Sequence, residues 1–146
     1  MRKLKLVISS YDDFKNPYYS GGGAYAVHEI AKRFTKRHAV TVITGNYPGA
    51  TDEVIDGVYY KRAKVSFLGP KLGQVFFHLA LPYFILGEDF DIWFESFTPP
   101  FSTSCLQLFT SKPVIGVAHM LSGEDMRRKY KIPFDFIESL GLKTYK

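Results

Sequence analysis

Leu4 to Ser9 (LKLVIS), Ala39 to Thr44 (AVTVIT) and Pro113 to Ala118 (PVIGVA) are short, almost continuous apolar runs. A strand that is apolar on both faces must be covered on both. That demand points to a parallel sheet rather than an antiparallel one with a wet face. The first run is followed by a loop of Asp, Asn, Pro and Tyr over Tyr11 to Ser20. Apolar residues then stand at Val27, Ile30, Ala31 and Phe34. This is the i, i+3, i+4, i+7 pattern of a helix with one buried face. Lys32, Arg33, Lys36 and Arg37 complement its C-terminal end.

The alternation continues. Gly45-Asn46-Tyr47-Pro48-Gly49 closes the second strand, and the turn Asp56-Gly57 leads into a third over Val58 to Val65 (VYYKRAKV). A nearly all-apolar helix is predicted over Leu72 to Leu86, interrupted by Pro82. A fourth strand, Phe90 to Glu95 (FDIWFE), is broken by Thr98-Pro99-Pro100. A short helix near Thr103 to Phe109 precedes the fifth strand, which ends at His119. The tail from Glu124 reads as helical, divided by Pro133, and Phe134 to Lys146 carries the apolar stripe Phe136, Ile137 and Leu140. Strands alternating with helices predict an α/β fold, a mostly parallel sheet with helices on both faces.

Composition narrows the function classes. With 46 % hydrophobic and 23 % charged residues in 146, the chain is an ordinary globular domain able to bury a core. Its net charge of +5 suits anionic partners such as phosphates or a membrane surface. Cys105 is the only cysteine, so no internal disulfide or zinc site is expected, and its apolar setting reads as an inert buried thiol. The basic N-terminus is followed by an apolar run that ends at Ile8, too short for a signal peptide or a span, which makes a cytoplasmic location the default. The 72–86 segment is also too short to span a bilayer. A buried crossover helix is the first reading and a membrane-dipping helix the second.

The chemistry-bearing residues cluster at strand ends. Gly21-Gly22-Gly23-Ala24 opens the first helix, where free N–H groups at the positive end of the helix dipole suit a phosphate. Gly21 to Ala26 also fits the dinucleotide fingerprint. However, the glycines stand far from the first strand, and the second strand ends Thr44-Gly45-Asn46 with no acidic residue for a ribose. A phosphate- or sugar-facing loop is the leading reading, and a turn without a ligand the plain alternative. Tyr18 and Tyr19 either stack on a sugar or base or simply close the loop. His119 and the pair Glu95-Ser96 end strands at the same sheet edge, where open α/β folds bind ligands. Each also has a purely structural reading. His28, His38 and His78 read as surface or packing residues. Arg127, Arg128, Lys129 and Lys131 form a basic cluster, either a solvated helix face or a contact for anionic lipid. No interleaved aromatic pattern marks it for nucleic acid.

Taken in order, these segments resemble the N-terminal half of family-4 glycosyltransferases. The resemblance rests on the long loop carrying Gly21-Gly22-Gly23-Ala24, the helix Val27 to Phe34, the strand after His38, Asp56-Gly57-Val58, Phe90 to Glu95, and Lys112 to His119. It covers essentially the whole chain. It implies a Rossmann-like domain forming one half of a GT-B architecture, with the donor-binding C-terminal domain as its missing partner. The implied reaction moves a glycosyl group from a nucleotide diphosphate sugar to an acceptor hydroxyl, with retention and without metal or other cofactor. On that basis Gly21, Gly22, Gly23, Ala24 and Tyr19 would approach the diphosphate or transferred sugar. His119 would contact the donor sugar or position the reacting groups, and Glu95 and Ser96 would lie towards a glycan or lipid-linked acceptor. The family's paired glutamates, eight positions apart, are absent from this sequence. Residues 1–146 are therefore expected to form an acceptor-side domain that is inactive alone, with peripheral membrane contact. A stand-alone phosphate- or nucleotide-binding α/β module is the alternative.

Overall fold

The computed structural model describes residues 1–145. In chain order the elements are β1 (Lys5–Ser9), α1 (Gly22–Phe34), β2 (Ala39–Gly45), β3 (Glu53–Ile55), β4 (Val58–Ala63), α2 (Pro70–Gly87), β5 (Ile92–Ser96), a single 3₁₀ turn (Leu106–Leu108), β6 (Val114–Val117), α3 (Gly123–Tyr130) and α4 (Phe134–Leu142). One sheet holds all the strands in the order β3-β4-β2-β1-β5-β6. Every pairing is parallel except β3 with β4. Without β3, the strands run third, second, first, fourth, fifth, which is the Rossmann order.

Strand alternation sorts the core into two layers. Leu6, Ile8, Val40, Val42 and Val58 pack under Val27 and Ala31 of α1. Val7, Ile43 and Trp93 face the other way, under Phe77, Leu81 and Ile85 of α2. The expected mostly parallel sheet with helices on both faces is the observed fold.

Several local expectations change. The Asp56-Gly57 turn joins two strands, and β3 is the one the apolar pattern passes over. Both turn residues have positive φ, 51° and 80°, as a two-residue hairpin of this hand requires. The second apolar helix runs unbroken through Pro82. A proline there removes one backbone bond, at a cost of about 3 kcal/mol. Burial of Phe77, Leu81 and Ile85 on both sides of it offsets that loss. On α1, Ile30 is exposed and His28 takes the inward position, its Nδ1 bonded to the Tyr60 hydroxyl at 2.8 Å and its Nε2 to Asp56. The stripe Phe136, Ile137 and Leu140 faces outward, while Phe134, Glu138 and Gly141 pack inward. The final helix ends at Leu142, and the predicted end at Lys146 lies outside the described residues. Cys105 is half-buried, and burial pushes its thiol pKa up.

Candidate functional site

Chain direction across the sheet reverses between β1 and β5, and their C-terminal ends open the crevice where such folds bind ligands. The loop after β1 is a built structure. Tyr11 is fully buried, and its hydroxyl donates to the Pro70 carbonyl at 2.6 Å and meets Ser66 at 3.1 Å. Its ring lies where a Cβ on Gly45 would fall, 2.3 Å away, and its hydroxyl lies 2.5 Å from where one on Gly73 would. Only glycine at those two positions lets the ring tie β1, β2 and α2 together. Asp13 is buried beneath the loop. Its carboxylate accepts from Arg62 Nε at 2.8 Å, Thr44 Oγ1 at 3.0 Å and the Lys15 N–H at 2.9 Å. Asn16 Oδ1 accepts from the N–H groups of Tyr18 and Tyr19, which sets the approach to the glycines.

The glycine run then opens α1. Gly21 is its N-cap with φ −65°, so no left-handed backbone is needed there. A Cβ on Gly21 or Gly22 would meet nothing within 4 Å. What bare glycine provides is open access to backbone. The first helical bond runs from the Ala24 N–H to the Gly21 carbonyl at 2.9 Å. The N–H groups of Gly22 and Gly23 ahead of it donate to no backbone acceptor. No side chain caps this end and no acidic residue stands in its first turn. The positive end of the helix therefore faces the crevice without an internal counter-charge.

His119, just beyond β6, comes to this point. Its ring lies 3.9 Å from where a Cβ on Gly23 would sit. With Ser96 it borders a cavity of about 140 Å³ whose wall is apolar, formed with residues such as Val27, Phe34 and Phe94. Asp12, in the loop after β1, lies close enough to His119 to interact with it electrostatically. Burial pushes its carboxyl pKa up, and nearby His119 pulls it back down. Sequence reasoning passed over Asp12 because Asp12 and Asp13 look alike in a polar loop. Their position directly after the first strand, at the switch point, is the signal that could have found them.

Other expected site residues lie elsewhere. Glu95 and Ser96 are consecutive in β5, so they face opposite sides of the sheet. Ser96 takes the side of His119. Glu95 is only 1 % exposed and accepts from Thr103 Oγ1 at 2.8 Å, from the Ser104 N–H and from the Tyr145 hydroxyl. It braces the loop after β5, and its carboxylate does not share the crevice with Ser96. Ala24, next to Gly23 in the first turn of α1, is buried against the core. Tyr19 packs edge-on against Tyr11, ring centres 5.4 Å apart. It lines a separate groove of about 530 Å³ with Lys71, Val75, Pro99, Lys129 and Tyr130. Among the described residues no three His, Cys, Asp or Glu side chains converge as a metal cage.

The chain matches the family described as Glycosyltransferase Family 4 over residues 20–143. It belongs to glycosyltransferase family 4. A comparison with curated proteins finds no match. The matched span of this family-4 domain begins at the last residue before the glycine run and takes in Ser96 and His119. A glycosyltransferase-type function follows from the family. Within the domain, the groups brought together are the glycine N–H donors, Ser96, His119 and Asp12.

Proposed function

We propose that this family-4 domain is the acceptor-side half of a GT-B enzyme that transfers a hexosyl group from a nucleotide diphosphate sugar to an acceptor hydroxyl, with retention of configuration. A donor-binding domain would close over the crevice at the ends of β1, β5 and β6. The observation that carries this reading is the uncovered start of α1 beside His119. As the glycosidic bond to the diphosphate breaks, negative charge builds on the leaving phosphate. Fixed N–H donors from Gly22 and Gly23 stabilise that charge without having to reorganise. His119, in contact distance of the same turn, holds the donor sugar against them, and Asp12 accepts from a sugar hydroxyl. No metal is required by this scheme. A cytoplasmic enzyme working on a glycan or lipid-linked acceptor is part of the same proposal.

The test is donor turnover by the full-length enzyme, read as nucleoside diphosphate released from a panel of nucleotide sugars. His119→Ala is expected to lower turnover about a hundredfold or more with the melting temperature unchanged. Wild-type turnover in that variant removes His119 from the mechanism. Nucleoside diphosphate binding with no transfer to any hydroxyl acceptor would favour a binding module instead.

A further inference from the structure

The second apolar helix is apolar around its whole circumference, and a helix of that kind is normally covered on all sides. Here α2 is covered on one side only. Phe77, Leu81 and Ile85 enter the core, whereas Leu79 is 67 %, Tyr83 79 % and Leu86 70 % exposed, and Leu72 stands in line with them. At 1.5 Å per residue this outward stripe runs about 21 Å. Phe67 and Leu68, also exposed, extend it ahead of the helix, with Phe67 stacked on Phe76 at 4.9 Å. The only charged residue from Leu68 to Gly87 is Lys71. An uninterrupted apolar surface of this extent marks an interaction face.

What borders the stripe decides the partner. Lys71 and Lys129 line the two sides of the groove between α2 and α3, beside Leu72 and Ile132. On α3, Arg127 pairs with Asp135 and Arg128 with Asp125. Lys71, Lys129 and Lys131 have no acidic partner within 4 Å among the described residues. An apolar stripe with a tyrosine in it, bordered by a groove that lysines and no carboxylate line, matches an anionic lipid surface. Hydrocarbon takes the leucines, the interface takes the tyrosine, and lipid phosphates take the lysines. No helix among the described residues is long and apolar enough to cross a membrane, so the face would lie on the bilayer and not through it.

We propose that the outer face of α2, with Phe67 and Leu68, docks flat on an anionic membrane and that Lys71 and Lys129 bind its phosphates. This docking is independent of the reading of the crevice, because it needs no sugar donor. The test is co-sedimentation of the chain with vesicles of phosphatidylglycerol and phosphatidylcholine, against phosphatidylcholine alone, at low and high salt. Binding is expected to the anionic vesicles, and to fall with salt and with loss of the anionic lipid. The double variant Leu79→Gln/Tyr83→Gln is expected to lose at least about tenfold in partitioning. Lys71→Gln and Lys129→Gln are expected to lose about fivefold each. All four positions are at the surface, and circular dichroism confirms that each variant is folded. Absence of binding to anionic vesicles overturns the proposal, as does binding that the double variant leaves unchanged. A dimer that forms without lipid and is abolished by the same double variant also overturns it, assigning the stripe to a second copy of the chain.

Discussion

His78 shows how one buried side chain sets a pH dependence. Its Nε2 lies 3.0 Å from the Thr98 carbonyl, which can only accept, so the ring proton sits there. Nδ1 then accepts from the Ser104 hydroxyl at 2.8 Å. The Ser104 bond needs the neutral ring, and burial lowers the pKa from 6.5 to about 4 although the backbone acceptors pull the other way. Below pH 6.5 the unfolded chain takes up this proton and the folded chain does not, so stability falls as pH drops from 6.5 towards 4. The full effect is of order 3 kcal/mol. Glu95 works in the opposite sense, because burial raises its pKa and protonation there favours the fold. Denaturant unfolding across this window is expected to lose less stability in His78→Gln than in the wild type, since other groups are common to both. Equal slopes would show that His78 does not titrate as its surroundings dictate. The sequence marks His78 only as a histidine in an apolar helix. The carbonyl that fixes its tautomer belongs to a loop about twenty residues on.

At the scale of elements, α1 and α2 illustrate two different uses of glycine. Gly73 in α2 and Gly45 in β2 are required by packing, because Tyr11 occupies the space of their side chains. The glycines that open α1 are not required by packing at all. Gly23→Ala puts a methyl in ordinary contact with His119 and replaces a poor helix former with a good one. It is expected to raise stability by about 0.5–1 kcal/mol, or a few degrees in melting temperature, while lowering turnover of the full-length enzyme. A loss of both stability and turnover would make the run a structural hinge and not a ligand-facing edge. The elements themselves were mostly legible, because helix and strand periods are local patterns. The Asp56-Gly57 hairpin carried its own turn signal, yet the three-residue strand before it is too short for periodicity to reveal. Pro82 misled for the reverse reason: a local breaker is overridden by tertiary burial on both sides.

Across the whole molecule, a buried ion pair joins segments far apart in sequence. Arg62 on β4 reaches Asp13 in the loop after β1 and also Glu53 on β3 at 2.9 Å, with the rings of Tyr47 and Tyr60 on either side. Arg62→Met would leave the Asp13 carboxylate buried without its cation, and chemical denaturation should show a loss of about 3–5 kcal/mol. The double variant Asp13→Asn/Arg62→Met should recover part of that loss, and a cost below 1 kcal/mol for Arg62→Met alone would mean the pair is not what holds the loop. By itself, the sequence determined the strand–helix alternation, the parallel sheet, the helix start at Gly21–Gly23 and the strand ends at which Ser96 and His119 stand. Those follow from local periods and from the rule that continuous apolar strands must be covered twice. Tertiary structure alone decided which side of the sheet each strand-end residue faces, so Ser96 joins His119 while Glu95 becomes a buried brace. It also separated Asp12, near His119, from Asp13, buried and bonded to Arg62, and left the outer face of α2 uncovered. Each of these depends on what lies opposite a residue in space, and no spacing along the chain encodes that.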